Sequence, residues 1–282
     1  LMDLMNQGHV NLSQVKTLVL DEADRMLDMG FINDIRKITA KVPKKRQTLL
    51  FSATMPKSIR GLANDLMNNP VNIEVAAVSA PAERIKQCVY YVDKPHKPAM
   101  LAHLLGKLPI TRAIVFTRTK HGADKVCRVL RKHRFEAQAI HGNKSQNARQ
   151  RSLDGFKSGK VMVLVATDIA SRGIDVDEVS HVFNYDLSND PESYVHRIGR
   201  TARAGCSGEA ISFCDREERG YLSDIERLIG MEIDVRTDYP DDIPAGVAPR
   251  PGEIITPPHK RSGQRQGGGG GGGRGRGGGG RP

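Results

Sequence analysis

The chain has 282 residues, room for about two domains, and its 38% apolar share supports at least one sizeable core. No run of about 18 apolar residues occurs, which excludes a membrane-spanning helix. Cys88, Cys127, Cys206 and Cys214 form no C-x-x-C pair and lack histidines at ligand spacing, so they read as reduced thiols of a cytoplasmic protein. The net charge of +11 is uneven: beyond Val247 seven basic residues face the single acid Glu253, and this +6 tail points to nucleic acid or an acidic surface as partner.

Residues 1–72 predict a short helix over 1–7, a strand over 15–20, a helical segment over 28–41, a strand over 47–51 and a helix over 56–67. The small-residue stretch 73–84 reads as a linker. From 85 to 230 apolar strands (87–92, 113–116, 137–141, 161–167, 181–185, 210–214) alternate with amphipathic helices (97–107, 122–132, 146–157, 192–203). That alternation predicts an α/β fold with a parallel sheet covered by helices on both faces. Residues 231–282 turn Pro-, Arg- and Gly-rich and are expected to form a disordered basic tail. The first stretch offers two strands where a doubly wound sheet needs about five. Apolar strands cut from their neighbours expose sticky edges, so residues 1–72 are expected to be poorly folded alone. The chain opens on Leu1 rather than Met and contains no G-x-x-x-x-G-K-[ST] phosphate loop. It reads as the back part of a larger protein.

Several segments carry chemistry. Asp21-Glu22-Ala23-Asp24 follows a predicted strand, at the carboxyl edge where parallel sheets bind ligands. A carboxylate at Asp21 suits Mg²⁺ and Glu22 can orient a water, although acids at a helix start also satisfy its dipole. Ser52-Ala53-Thr54 follows the second strand; its hydroxyls can bond neighbouring carboxylates or cap the helix entered at Pro56. In the segment 166–175 the amides near Gly173 can approach a phosphate and Asp175 can accept from ribose hydroxyls, while a plain strand–helix turn is the alternative. Arg197, Arg200 and Arg203 recur every three residues on a predicted helix, either converging on an anion or forming a solvated basic face. Gln146 and Arg149 share a helix face after His141-Gly142, suited to a sugar–phosphate backbone. Carboxylates in one half and arginines in the other suggest hydrolysis of a nucleotide held by two lobes.

In order, these segments resemble the DEAD-box family of ATP-dependent RNA helicases: D-E-A-D at 21–24, S-A-T at 52–54, I-V-F-x-x-T at 114–119, H-G-x-x-x-Q-x-x-R at 141–149, A-T-D-I-A-x-R-G-x-D at 166–175 and H-R-I-G-R-T-x-R at 196–203. Segment form and the Gly/Arg tail look like the bacterial RhlE-like subgroup. The resemblance implies two RecA-like domains, a partial first (1–72) and a complete second (85–230), using ATP and Mg²⁺ on RNA. It implies that Asp21 helps hold Mg²⁺, that Glu22 positions the attacking water, and that Arg200 and Arg203 act on the γ-phosphate. Gly173 and Asp175 would meet the nucleotide, and Phe116 would buttress the arginine helix. Ser52, Thr54, Asp168 and His196 would couple hydrolysis to strand separation. Thr119, Gly142, Gln146, Arg149, Thr167 and Gly173 would contact the RNA backbone, making recognition largely sequence-independent. Ribosomal or RNA-decay ribonucleoproteins are implied partners, and no membrane. Ala202 stands where the family more often has Gly, with function expected to survive. The family's phosphate loop, adenine-reading glutamine segment and early RNA motifs are absent from the 282 residues, so this chain is expected to bind ATP poorly and hardly hydrolyse it. The alternative is a non-catalytic RNA-binding module made of the second domain and the tail.

Overall fold

The computed structural model describes residues 1–28, 30–74, 85–168, 179–202 and 208–248. Gly173, Asp175, Arg203 and the Gly/Arg-rich tail from residue 249 lie outside the described residues. The chain divides into two compact units, Leu1–Ala80 and Pro81–Pro282.

The first unit contains α1 (Met2–Asn6), β1 (Thr17–Leu20), α2 (Ala23–Asp28), α3 (Ile32–Thr39), β2 (Gln47–Leu50) and α4 (Lys57–Leu66). The helical segment expected over 28–41 forms as α3, while α2, which ends at Asp28, was not expected; Gly30, whose φ of 77° favours a residue without a Cβ, lies between the two. Strands β1 and β2 pair in parallel, Thr17 opposite Gln47 and Leu20 opposite Leu50. Alternate strand residues point to opposite faces. Leu18, Leu20 and Leu50 pack with Met26, Ile32, Ile35, Leu62 and Leu66. Val19, from the other face, is 52% exposed, and Phe51, just past β2, is 54% exposed. The strands are therefore covered on one side by a small core.

The second unit is a seven-stranded parallel sheet: β3 (Lys86–Tyr91), β4 (Ala113–Phe116), β5 (Ala137–Ile140), β6 (Val163–Ala166), β7 (His181–Asn184), β8 (Glu209–Cys214) and β9 (Asp234–Val235), in spatial order β5-β6-β4-β7-β8-β3-β9. Its helices are α5 (Lys97–Lys107), α6 (Lys120–Lys132), α7 (Gln146–Lys157), α8 (Pro191–Ile198) and α9 (Arg219–Ile229). The strands are apolar on both faces because both are covered. Ala113, Val115, Val163, Val165, Phe183, Ile211 and Phe213 pack with Met100, Leu104, Val126 and Leu130 of α5 and α6. The alternate residues Ile114, Phe116, Leu164, Ala166 and Val182 pack with Phe156 of α7. Burial pushes the Cys88 thiol up to about 11 and the Cys127 thiol to about 12, so both are inert apolar filling.

Two expectations are corrected here. The helix expected over 192–203 ends at Ile198, with Gly199 as its C-cap, so of the three arginines Arg197 alone among the described residues is helical. The tail expected from 231 begins later. Strand β9 extends the sheet beside β3, Ile233 and Ile243 are buried, and Tyr239 stacks edge-on to Tyr90 with ring centroids 5.6 Å apart. The polar, Pro-rich composition of this stretch hides a few apolar anchors spaced to reach the core.

Candidate functional site

In the first unit β1 delivers Asp21 and Glu22 at its carboxyl end. The Glu22 N–H donates to Asp21 Oδ1 at 2.9 Å. Glu22 itself has φ 50°, a left-handed conformation that costs a non-glycine residue about 1–2 kcal/mol and that gathers at functional sites. Surrounding hydrogen bonds hold this turn. The Phe51 N–H donates to Leu20 O at 2.7 Å and the Ala23 N–H to Phe51 O at 3.0 Å, carrying the β1–β2 ladder into the loops.

Asp24, 3% exposed, joins the two loops. Its Oδ2 accepts from the Thr54 N–H at 2.8 Å and the Thr54 hydroxyl at 3.1 Å, and its Oδ1 from the Arg25 N–H at 2.9 Å. The Asp24 N–H donates to Ser52 Oγ at 3.1 Å, and the Ser52 hydroxyl donates to Thr54 O at 2.7 Å. Burial pushes the Asp24 carboxyl up, but the backbone bonds from Thr54 and Arg25, with the hydroxyl bonds, outweigh it and hold the group below its ordinary value. Ser52 and Thr54 thus serve the carboxylate loop; the N-cap of α4 is Pro56, with no side-chain cap.

In the second unit the parallel order β5-β6-β4-β7 brings four carboxyl strand ends to one edge. After β4, Thr119 caps α6, its hydroxyl accepting from the Gly122 N–H at 3.0 Å. After β5 comes exposed Gly142, where an added Cβ would meet nothing within 4 Å, so internal packing does not demand glycine there. Ser145 caps α7, whose first turn carries Gln146 and Arg149, joined Nη1 to Oε1 at 3.3 Å. After β6 come half-buried Thr167 and Asp168.

Arg197 was grouped in sequence with the anion-facing arginines, and its surroundings assign it a different job. It is 2% exposed and grips Asp168 with both prongs, Nε to Oδ1 at 2.6 Å and Nη2 to Oδ2 at 2.8 Å. Its Nη1 donates to Asp186 O at 2.6 Å, and the guanidinium lies 5.1 Å from the centre of the Phe116 ring. Arg197 is an internal clamp joining β6, β7 and α8. Phe116 does lie against the arginine helix. His196 and Arg200 are half-buried, Arg200 on the turn after α8. That turn contains Ala202 at φ 54°, a conformation suited to glycine, and the Thr201 hydroxyl donates to Val179 O.

Sequence reasoning missed a second buried cluster. Lys97 and Glu218, each 1% exposed, pair at 2.6 Å, and Lys97 also meets Asp215 at 3.2 Å. Glu218 Oε1 accepts from Arg118 at 2.7 Å and from the Leu187 N–H at 3.1 Å, while Asp186 Oδ2 accepts from the Arg118 N–H at 2.9 Å. Burial raises the Glu218 carboxyl; Lys97 beside it pulls the other way. The cluster fixes the loop bearing Arg118 and Thr119 beside β7. Lys97 and Glu218 are too far apart in sequence for any local pattern to reveal their pairing.

Among the described residues no group of three or more His, Cys, Asp or Glu could hold a metal. Asp21 offers a single carboxylate, which fits Mg²⁺ taking its remaining ligands from phosphate oxygens and water.

Parallel α/β units with acids, hydroxyls and arginines at their carboxyl strand ends define a RecA-like protein. Two families match the chain: the DEAD/DEAH box helicase family over residues 1–62 and the helicase conserved C-terminal domain over residues 96–205. The ATP-dependent RNA helicase CshA of Listeria monocytogenes is 48% identical over 226 residues, 80% of this chain and 44% of that protein. The S. cerevisiae Dbp5 structure with RNA and ADP BeF3 superposes with a TM-score of 0.76 at 34% identity, covering 83% of this chain and 63% of that one. The E. coli DEAD-box protein SrmB, bound to the regulator of ribonuclease activity RraA, gives 0.55 at 38% identity, covering 59% of this chain and 98% of that one. The chain belongs to the DEAD-box helicase family, and it spans about half the length of the curated relatives it matches. Those relatives bear the CshA name and lend no support to the RhlE-like placement. Among the described residues no helix is long and apolar enough to cross a membrane.

Proposed function

We propose that this chain belongs to a CshA-like, cytoplasmic ATP-dependent RNA helicase in which RNA-stimulated ATP hydrolysis separates or remodels short RNA structures. The observation that carries the reading is the Asp24 lock. It ties the carboxylate loop to the Ser52–Thr54 loop and leaves Asp21 and strained Glu22 presented at the carboxyl edge of β1. Asp21 would help hold the Mg²⁺ of MgATP, an ion that neutralises phosphate charge as the γ-phosphate leaves. Glu22 would orient the attacking water. Arg200 and Arg203 would stabilise charge developing on the γ-phosphate, with Arg197 fixing the segment that carries Arg200. Gly173 and Asp175 would meet the nucleotide. Thr119, Gly142, Gln146, Arg149 and Thr167 would hold the RNA backbone along the sheet edge, without reading bases.

With a phosphate-loop domain fused ahead of Leu1, Glu22→Gln should keep ATP-dependent RNA binding and lose turnover. Undiminished phosphate release would defeat the role given to Glu22. The basic tail, seven cations against the single acid Glu253, favours a second reading, an RNA-binding module built from the second unit and that tail. On that reading Arg200→Ala matters little. Deleting the tail then lowers the salt slope of single-stranded RNA binding by up to about 4.

A further inference from the structure

Among the described residues outside those already assigned, the second unit carries a concave, strongly basic feature. It is a groove of about 920 Å³ over β5, the outer strand of the sheet, walled by α6 on one side and α7 on the other. Its cations are Arg128, Arg131 and Lys132 from α6, Lys144 from the loop after β5, and Arg151 from α7. Arg131 and Lys132 lie three and four residues after Arg128, which puts both on its side of α6. The one acid in the lining, Asp124, is already committed, meeting Lys144 at 2.9 Å and His141 at 3.1 Å. Burial raises its carboxyl, but the bonds from Lys144 and His141 outweigh that and hold it below the ordinary range.

Charged residues commonly guard an open sheet edge against pairing with another strand. Arg131 does so, its Nε donating to Ala137 O at 2.8 Å. That explanation does not extend to Arg128, Lys132 and Arg151. All three are exposed and meet neither a carboxylate nor a carbonyl among the described residues. Like charges gathered in a concavity repel one another until an anion enters. Between the cations the lining is small or polar (Gln138, Ala139, Ala148, Ser152), with no aromatic or large apolar side chain for a peptide to seat upon. The groove opens at Lys144, directly after the His141–Gly142 turn, and follows α6 away from Thr119 for about 12 Å, from Asp124 to Lys132.

We propose that this groove is a second RNA-backbone tract, continuing the path of the strand from the Gly142–Gln146 edge down between α6 and α7. It rests on the RNA reading above and extends it. Arg128, Lys132 and Arg151 would each take a phosphate, and no base would be read.

The test is binding of the whole chain to fluorescent single-stranded RNAs of increasing length, comparing it with the triple variant Arg128→Gln, Lys132→Gln, Arg151→Gln. These exposed positions lie outside the core, and circular dichroism checks that the fold is kept. The shortest RNA bound should bind both proteins alike, while RNAs about four nucleotides longer, enough to span about 12 Å, should bind the variant more weakly. Raising salt from about 50 to about 200 mM should weaken the parent on long RNA by roughly twentyfold more than the variant, the effect of three lost phosphate contacts. Identical length and salt dependence would overturn the tract. If Gln146→Ala with Arg149→Ala still weakened both proteins, the RNA reading itself would stand. If the chain bound no RNA of any length, both would fall together. Poly-glutamate captured by the parent and not by the variant, with RNA binding unchanged, would assign the groove to an acidic protein and likewise overturn the proposal.

Discussion

Asp168→Ala should weaken the second unit by about 3 kcal/mol, and the reason lies in what it leaves behind. Arg197 is 2% exposed and loses two short charge-assisted bonds at once, keeping Asp186 O, a long bond to Asn184 Oδ1 and the Phe116 ring. Removing one partner of a buried ion pair costs about 3–5 kcal/mol. The Asp168 side chain is 30% exposed, so water can approach the stranded guanidinium, and the lower end of that range applies. The protein has no tryptophan, and its six tyrosines all lie in the second unit. The tyrosine band of the near-ultraviolet circular dichroism therefore follows that unit alone during urea unfolding. With a slope of about 2 kcal/mol per molar urea, the midpoint should fall by about 1.5 M. Adding Arg197→Met should recover part of the loss, since the buried charge then disappears. A shift below about 0.3 M for Asp168→Ala would refute the clamp, because the remaining partners would then suffice for Arg197.

Two further outcomes are expected. Ala202→Gly should stabilise the same unit by about 0.5–1 kcal/mol, the relief of a left-handed alanine less the entropy a glycine adds to the unfolded chain; a lowered urea midpoint would contradict it. Asp24→Asn should cost the first unit about 1–3 kcal/mol, seen as faster amide exchange around residues 20–25 and 50–60 at neutral pH. Because the folded Asp24 carboxyl titrates below 3.8, its contribution is complete above that value and is lost as the pH falls through the folded one. Parent and variant should therefore converge in strong acid, and equal exchange at neutral pH would dispose of the lock.

The sheet was legible because its strands are short apolar runs that a parallel sheet buries on both faces, as Val163–Ala166 illustrates. Acids and hydroxyls at strand ends were legible for the same reason, since the end of an apolar run marks the edge where ligands bind. Asp24 was quoted with its neighbours but given no task, because a carboxylate that bonds amides in another loop leaves no local trace. Arg197 was misjudged on spacing: a three-residue recurrence implies a shared helical face only while the helix lasts, and Gly199 ends it. The start of the tail was placed too early because composition over 233–248 is polar, whereas Ile243 and Tyr239 act as single anchors. Val19 and Phe51 leave apolar surface exposed on the first unit, and its expected poor folding alone is a prediction for hydrogen exchange. Slower exchange in residues 86–229 than in residues 1–72 would put that in numbers.

The Lys97–Glu218–Asp215 cluster has a practical consequence. Its charges lie inside the protein, where dissolved ions screen them far less than they screen surface pairs. Added salt should weaken exposed ion pairs such as Arg36–Asp65 and Lys94–Glu217 while leaving the loop that bears Arg118 and Thr119 in place. Ionic strength can then be used on this protein as a dial for its surface charges, with the architecture behind them held constant.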